Sequence, residues 1–293
     1  MKIHIIDHNF FKKKVIASYL IENGGDVILI ETGPDTTFHS LKKSLNELGY
    51  AVEDIKNVFV THIHLDHSGS AWHFADAGAK IYVHPFGAIH LADPAKLVAS
   101  ARRIYKEQMD TLWGEIRPIE KDRIHEIRDG EKIKIGGIVV QTVETLGHAS
   151  HHHSYLIDGL LFTGDAAGVR IENGPVLPPT PPPDVNIELW QESIRKMLKL
   201  KPEALYLTHF GNSGDVKEHL KELEDRLLKV TDWAGVRLKE GKSEEEMAAE
   251  MDEMFSEILV KSGADKDLIE VYELADPFWM NVPGLVRYWN KFR

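Results

Sequence analysis

The stretch Thr61-His62-Ile63-His64-Leu65-Asp66-His67-Ser68-Gly69 directly follows a short apolar run, residues 58–60. That run is typical of a β-strand, so three histidines and an aspartate lie at its carboxyl end. Imidazole and carboxylate groups hold borderline divalent metals, and four of them within six residues need one tight turn to converge. A surface loop that happens to be rich in histidine would leave the placement after a strand unexplained. The stretch therefore predicts a metal site.

Three later residues of the same ligand types also follow apolar runs. They are His148 in Thr145-Leu146-Gly147-His148, Asp165 in Phe162-Thr163-Gly164-Asp165 and His209 in Leu207-Thr208-His209-Phe210-Gly211. The neighbouring glycines permit tight turns and a close approach of the backbone. Each residue alone is a weak signal, but together with the first cluster they predict a metal centre at the ends of several strands.

Composition limits the class of protein and the kind of site. A chain of 293 residues can form one large domain or two smaller ones. It contains no cysteine, which excludes disulfides and thiolate ligands, so a metal site must use His, Asp and Glu. The same absence favours the cytoplasm. The formal net charge of −11 opposes binding to a phosphate backbone, and no nucleic-acid partner is expected.

Targeting and membrane segments are not expected in this chain. The amino-terminal residues 1–7 are soon interrupted by charge and are too short for a secretory signal. No apolar stretch approaches the roughly 18 residues that a membrane span needs. We therefore expect a soluble protein with no membrane partner.

Apolar periodicity and turn residues predict alternating strands and helices over the first two thirds of the chain. A helix is expected to end at Gly49, and one or two helices are expected within residues 86–120, over a pocket mouth or as remote packing. Strands are predicted at residues 3–7, 15–21, 27–31, 58–60, 80–84, 125–127, 132–135, 138–143, 154–157, 160–163 and, last, 204–207. Further helices are predicted at residues 68–77 and 187–200.

Two other segments stand out by composition. Residues 177–183, Leu-Pro-Pro-Thr-Pro-Pro-Pro, form what we call the proline segment, which we expect to be a rigid wall beside the site. From residue 215 the chain becomes rich in Lys, Glu, Leu and Met, which predicts a helical extension. Its aromatic residues are expected to be packing anchors, and they could also support a homo-oligomer. These anchors are Phe278, Trp279, Tyr288 and Trp289.

With these motifs in this order, the sequence resembles the metallo-beta-lactamase superfamily. The resemblance rests on the His-x-His-x-Asp-His cluster, the Gly-His turn, the Thr-Gly-Asp strand end and the last strand-end histidine. It implies an α/β four-layer αβ/βα sandwich at residues 1–214, with the helical insertion at about 86–120. Residues 215–293 would be a C-terminal helical extension.

The resemblance also implies a ligand set for two metal ions per chain. His62, His64 and His148 would hold one ion, Asp66, His67 and His209 the other, and Asp165 would bridge them. Zinc is the first choice, and iron or manganese tolerates the same ligands. Such a site implies a hydrolase in which a metal-bridging hydroxide attacks an ester, thioester, lactone or phosphoester. Asp66 and Asp165 are the candidate catalytic residues, because either could take a proton and return it to the leaving group.

The motifs give weaker support for a role of one acid and of the other histidines at the predicted metal site. The family usually has Asp-Thr-Gly after an early strand, where this chain has Glu31-Thr32-Gly33, so Glu31 could orient a ligand imidazole. His152 could brace the site. No motif supports His73, His84 or His90, which are expected to be structural or surface residues.

Several functions share these motifs. The His-x-His-x-Asp-His cluster favours the broad branch that includes glyoxalase II and lactonases, acting on a small molecule. A mononuclear iron sulfur dioxygenase would use His62, His148 and Asp165, and a phosphodiesterase or nuclease would use the same metals. A flavodiiron protein needs a further flavodoxin-sized domain, for which the extension is too short. From another class, the chain could be a metal-free interaction module.

Overall fold

A computed structural model describes all 293 residues of the chain. The chain divides into two compact units. The first unit comprises Met1–Glu144 and His153–Asp158, and the second comprises Thr145–His152 and Gly159–Arg293.

The first unit contains a six-stranded mixed sheet in which sequence order is also spatial order. Strands β1 to β3 pair antiparallel, and β3 to β6 pair parallel. The strands are β1 (Lys2–Asp7), β2 (Ala17–Asn23), β3 (Asp26–Ile30), β4 (Asn57–Phe59), β5 (Lys80–Val83) and β6 (Ile124–Glu126). Because parallel strands end at the same edge, the residues after β3, β4 and β5 are brought to one edge of this sheet.

Helices of the first unit pack against this sheet through apolar faces. In α1, Leu41 and Leu45 are fully buried in a core cluster that also contains Val58, Ile81 and Phe74. The helices are α1 (Phe38–Glu47), α2 (Leu65–Ser68), α3 (Ala71–Asp76), α4 (Pro85–Ala92), α5 (Ala95–Tyr105) and α6 (Met109–Trp113). The segment 86–120 thus forms helices as predicted, but α4, α5 and α6 are three rather than one or two.

Three further strands of the first unit form an antiparallel meander. They are β7 (Lys132–Ile135), β8 (Ile138–Glu144) and β9 (His153–Ile157). The predicted turn at Gly136-Gly137 joins β7 to β8. Gly136 has a φ of +52°, and the Gly137 N–H donates to Asp26 Oδ2 over 2.9 Å.

The second unit contains three strands and the helix that connects two of them. Strand β10 (Leu160–Gly164) pairs parallel with β11 (Ala204–Leu207), and α7 (Ile187–Leu200) lies between them in the chain. The prediction that β11 is the last strand is wrong, because β12 (Gly211–Ser213) pairs antiparallel with it. Three small or polar residues carry no apolar periodicity, which is why the sequence pattern missed β12.

The end of the second unit is helical, as predicted from its composition. The helices are α8 (Val216–Lys239), α9 (Glu244–Lys261), α10 (Lys266–Ala275) and α11 (Phe278–Phe292). Phe278 and Tyr288 are buried and Trp289 donates from Nε1 to the Thr231 carbonyl, so these three are packing anchors. Trp279 is 42% exposed, so its prediction as an anchor is wrong. None of the helices combines the length and the apolarity that a membrane crossing requires.

Candidate metal centre

His62 and His64 of the first unit lie in the loop that follows β4. Nε2 of His62 is 2.9 Å from Nδ1 of His64. The other nitrogen of the fully buried His62 ring, Nδ1, is 3.0 Å from the Thr61 hydroxyl. The Thr61 contact fixes the ring orientation, so the two histidines present nitrogen atoms to one point.

Asp66 and His67 follow in the short helix α2, which begins directly after His64. The His64 carbonyl accepts from His67 N–H (3.1 Å) and Ser68 N–H (3.0 Å), and these bonds form the turn. Nε2 of the buried His67 lies 3.5 Å from Asp66 Oδ2. The cluster predicted at residues 61–69 therefore places its carboxylate beside an imidazole.

Glu31 joins the end of β3 to this cluster. It is fully buried, and its φ of +63° places its backbone in the left-handed region. Its Oε1 accepts from Thr61 N–H (3.2 Å), and its Oε2 is 3.5 Å from His67 Nδ1. Thr32, the next residue, donates from N–H to the His67 carbonyl over 2.8 Å. The Glu31-Thr32-Gly33 turn thus contacts Thr61 and His67 of the predicted cluster.

In the second unit, Asp165 lies between two imidazoles. His148 Nε2 is 3.4 Å from Asp165 Oδ2, and His209 Nε2 is 3.6 Å from Asp165 Oδ1. All three side chains are buried. Each oxygen of the carboxylate therefore has one imidazole nitrogen beside it, so the group can share its negative charge between two cations.

The orientation of His148 follows from a backbone contact. Its Nδ1 is 2.9 Å from the carbonyl of Pro179, and since a carbonyl only accepts, Nδ1 carries the proton. Nε2 therefore carries the lone pair that a metal requires, and this is the nitrogen that faces Asp165. The preceding Gly147 has a φ of +128°, and a Cβ there would lie 2.3 Å from the Trp190 Cα. Only glycine lets α7 approach the His148 turn this closely.

His152 uses both ring nitrogens within the second unit. Its Nε2 accepts from Asp165 N–H over 3.2 Å, so its Nδ1 carries the proton and donates to the Thr145 hydroxyl over 2.9 Å. With neither nitrogen presented as a ligand, His152 positions the backbone of Asp165. His209 is held through its backbone, because its carbonyl accepts from Arg170 N–H over 2.7 Å.

A further histidine and acid group in the first unit has a structural explanation. His84, Glu144 and His153 lie close enough to share an ion. However, His84 Nδ1 accepts from Phe86 N–H (3.1 Å) at the start of α4, so Nε2 carries the proton and donates to Glu144 Oε1 (3.2 Å). A metal on Nε2 would require the neutral ring to lose this proton, which is the only one it carries on nitrogen. His84 is therefore a helix cap, in agreement with its predicted structural role.

Several contacts around these ligands were not predicted. His8 is buried between the hydroxyls of Thr37 (2.8 Å) and Ser18 (2.6 Å), and a Cβ on Gly33 would lie 2.3 Å from its ring. Burial lowers the pKa of His8 to about 3, so it is neutral. His219 donates from Nε2 to the Ala167 carbonyl over 2.8 Å. These contacts join residues far apart in the chain, so no local sequence motif predicts them.

The donor sets of both units suit divalent metals. The first unit supplies three imidazoles and a carboxylate, the second supplies two imidazoles and a carboxylate, and no thiolate is available. Nitrogen and oxygen donors of this kind suit zinc, iron and manganese. Parallel strands with flanking helices, together with His and Asp groups that could hold a metal ion, define the class as an α/β protein with a candidate metal centre.

The chain belongs to the metallo-beta-lactamase superfamily, whose family model matches residues 13–209. Members of this superfamily are generally metal-dependent hydrolases. The chain is 30% identical over 178 residues to the metallo-beta-lactamase fold-containing protein ST1585 of Sulfurisphaera tokodaii, covering 59% of this chain and 67% of that protein. The predicted family is therefore confirmed.

Solved structures confirm the predicted fold class. The metallo-beta-lactamase family protein TTHA1429 of Thermus thermophilus superposes with a TM-score of 0.73 at 21% identity, covering 99% of this chain and 93% of the other. MEM-A1, a subclass B3 metallo-beta-lactamase from a soil metagenome, gives a TM-score of 0.58 at 18% identity, covering 78% and 91%. At these identities the likeness concerns the fold alone. The fold consists of two mixed sheets flanked by helices, with further helices at the C-terminus.

Proposed function

We propose that the protein is a dinuclear metal-dependent hydrolase. One observation carries the proposal: the Asp165 carboxylate has an imidazole nitrogen beside each of its oxygens. We assign His62, His64 and His148 to one ion, Asp66, His67 and His209 to the other, and Asp165 to both. Zinc is the expected metal, with iron or manganese as the alternatives.

The metal ions, when bound, would lower the pKa of a coordinated water and polarise the carbonyl or phosphoryl group of a substrate. The chain's own residues have separate tasks. Asp66 is partly exposed beside His67, so its carboxylate is the group placed to take a proton and return it to the leaving group. Asp165, held by His152 through its backbone N–H, fixes the spacing of the ligands and is the second candidate for proton transfer.

The substrate class that we propose is an ester, thioester, lactone or phosphoester of small size. The absence of cysteine and the presence of Asp66 support the broad branch that includes glyoxalase II and lactonases. The net charge of −11 disfavours a nucleic-acid substrate. We further propose a catalytic domain at residues 1–214 with a helical extension at 215–293, and a cytoplasmic location, because reducing compartments suit a chain without disulfides.

A panel of ester, thioester, lactone, phosphodiester and phosphotriester substrates tests this function. We expect the wild-type protein to hydrolyse at least one class, and a chelator or the double variant His64→Ala, Asp165→Ala to abolish that activity. The control is His39→Ala, which removes an exposed histidine of α1 and should leave the rate unchanged. Equal rates for the wild-type protein and the double variant on every substrate would refute the proposal.

A further inference from the structure

The proline segment is connected to a proposed metal ligand at one end and to the last helix at the other. The carbonyl of Pro179 accepts the Nδ1 proton of His148 over 2.9 Å. The next residue, Thr180, is fully buried, and its hydroxyl donates to Oδ1 of Asn281 in α11 over 2.9 Å. Thr180 and Asn281 are 101 residues apart in the chain, so this contact depends on folding of the C-terminal helices.

Within residues 178–183 of the proline segment, Thr180 is the only residue with a backbone donor. Residues 178–183 read Pro-Pro-Thr-Pro-Pro-Pro, and proline has no N–H. The Thr180 N–H donates to Oδ1 of Asn281, the same atom that accepts from its hydroxyl. The Asn281 Nδ2 donates to Asp276 Oδ1 over 3.0 Å, which determines that Oδ1 is the amide atom that faces Thr180.

The backbone of α11 also lies directly against the segment. A Cβ added at Gly284 would lie 1.9 Å from the Thr180 carbonyl oxygen and 2.9 Å from the Pro181 carbonyl carbon. Asn281 is 1% exposed and Asp276 is 4% exposed, so water does not compete for these bonds. The contact between α11 and Thr180 is therefore close and dry.

We propose that Asn281 is a positioning residue for His148. By holding Thr180, it keeps the Pro179 carbonyl against Nδ1, which fixes the tautomer and the orientation of the ring so that Nε2 faces Asp165. This inference rests on the proposed function, because His148 is a ligand only if the protein binds metal. It assigns the C-terminal helices a part in metal binding. Outer partners of ligand histidines of this kind affect metal affinity by about tenfold to a hundredfold.

The test compares metal binding by Asn281→Ala with that of the wild-type protein. Zinc affinity is measured by competition with a chelator, and the geometry of the site is followed by the absorption spectrum of the cobalt-loaded protein. We expect one of the two sites to weaken about tenfold or more, with a changed cobalt spectrum. Thr180→Val keeps the N–H bond and loses the hydroxyl bond, so it should weaken the same site by a smaller factor. If Asn281→Ala does not fold, Thr180→Val tests the positioning role by itself.

The matched control is Tyr272→Phe. The Tyr272 hydroxyl, on α10, accepts from Ile171 N–H (3.0 Å) and donates to the Pro175 carbonyl (2.8 Å). It therefore also connects a C-terminal helix to this loop, but it forms no hydrogen bond with Pro179 or Thr180. We expect this variant to lower the melting temperature and to leave both metal affinities unchanged. An equal loss of affinity in Tyr272→Phe and Asn281→Ala would show a general stability effect and overturn the inference.

A double-mutant cycle separates positioning from a loss that is independent of His148. In a His148→Ala background, Asn281→Ala should cause no further loss of metal affinity, because the ring that it positions is gone. An additive loss would overturn the inference. A wild-type protein that binds no metal would refute the proposed function and this inference together, whereas unchanged affinity in Asn281→Ala would refute this inference alone.

Discussion

At the scale of single residues, Glu31 is a buried acid that contacts Thr61 and the proposed ligand His67. Its carboxylate contacts Thr61 N–H with one oxygen and lies near His67 Nδ1 with the other. Glu31→Gln keeps the size and the first acceptor but replaces the charge beside His67 with an amide. We expect the proposed site containing His67 to lose about tenfold to a hundredfold in metal affinity, measured by zinc titration calorimetry.

The control for this substitution is Glu22→Gln, which removes the carboxylate that pairs with His4 on neighbouring strands. That variant should bind zinc as the wild-type protein does. Unchanged affinity in Glu31→Gln would mean that the turn supports the site only through its backbone.

The residues proposed to bind metal were readable from the sequence because ligand types recur after apolar strands. Glu31 and His152 were also predicted to support the site, but the groups that they contact were not. The task of His152 depends on Asp165 N–H and Thr145, which meet its two nitrogens only in the folded chain. The hydrogen bond from His148 to the Pro179 carbonyl could not be predicted, since every residue has a backbone carbonyl and the sequence does not indicate which one meets the ring.

Among the secondary-structure elements, α7 holds two of the turns that carry proposed ligands. Trp190 donates from Nε1 to the Ala166 carbonyl over 2.8 Å, and the Ser193 hydroxyl donates to the Leu146 carbonyl over 2.6 Å. These bonds fix the residue after Asp165 and the turn before His148. The contact requires Gly147, because any side chain there would overlap Trp190.

Gly147→Ala should therefore destabilise the protein strongly. Its Cβ would lie 2.3 Å from backbone and side-chain atoms of Trp190, so α7 would have to move. We expect a loss of roughly 3 kcal/mol in the free energy of unfolding, measured by urea denaturation. Gly263→Ala is the control, because Gly263 also has a positive φ, +91°, but a Cβ added there would have no atom within 4 Å. This variant should lose about 1 kcal/mol in the free energy of unfolding. Equal losses would show that backbone strain rather than contact with α7 dominates.

The strands and helices with strong periodicity were predicted nearly to the residue, as at α7 and β11. The prediction of one short helix over residues 68–77 missed α2, because its four residues Leu65–Ser68 complete only one turn. That turn is stabilised by bonds to the His64 carbonyl, which do not show in a hydrophobic pattern. Short elements are specified by capping and tertiary contacts, whereas long ones are specified by their apolar face.

At the scale of the whole molecule, two buried histidines make stability depend on pH. Burial lowers the pKa of His8 to about 3 and that of His219 to about 4, from an ordinary value of 6.5. Below pH 6.5 the unfolded chain takes up protons at these positions and the folded chain does not. Their contribution is therefore complete above pH 6.5 and is lost as the pH falls towards 4 and then 3.

Urea denaturation at pH 7.5 and pH 5, with a chelator present throughout, measures this dependence. We expect the wild-type protein to lose unfolding free energy between the two values and His8→Gln to lose less, although the variant is less stable at pH 7.5. An identical pH dependence in both proteins would show that His8 does not stay neutral in the folded state.

The fold class and family were predictable because they follow from a periodic pattern and from the spacing of ligand residues. The substrate was not, since selectivity depends on side chains that surround the candidate site and that no motif specifies. The C-terminal helices were predicted as an appendix, yet α11 reaches the proline segment through Asn281. Thr180 and Asn281 are 101 positions apart, so local composition cannot predict the contact between them.

The metal content of the purified protein, determined by mass spectrometry, tests the proposed dinuclear centre most directly. We predict two divalent metal ions per chain, with zinc predominant, and a loss of metal in the double variant His64→Ala, Asp165→Ala. One iron per chain would instead favour a mononuclear dioxygenase. A protein that holds no metal after growth and purification with zinc supplied would contradict the account.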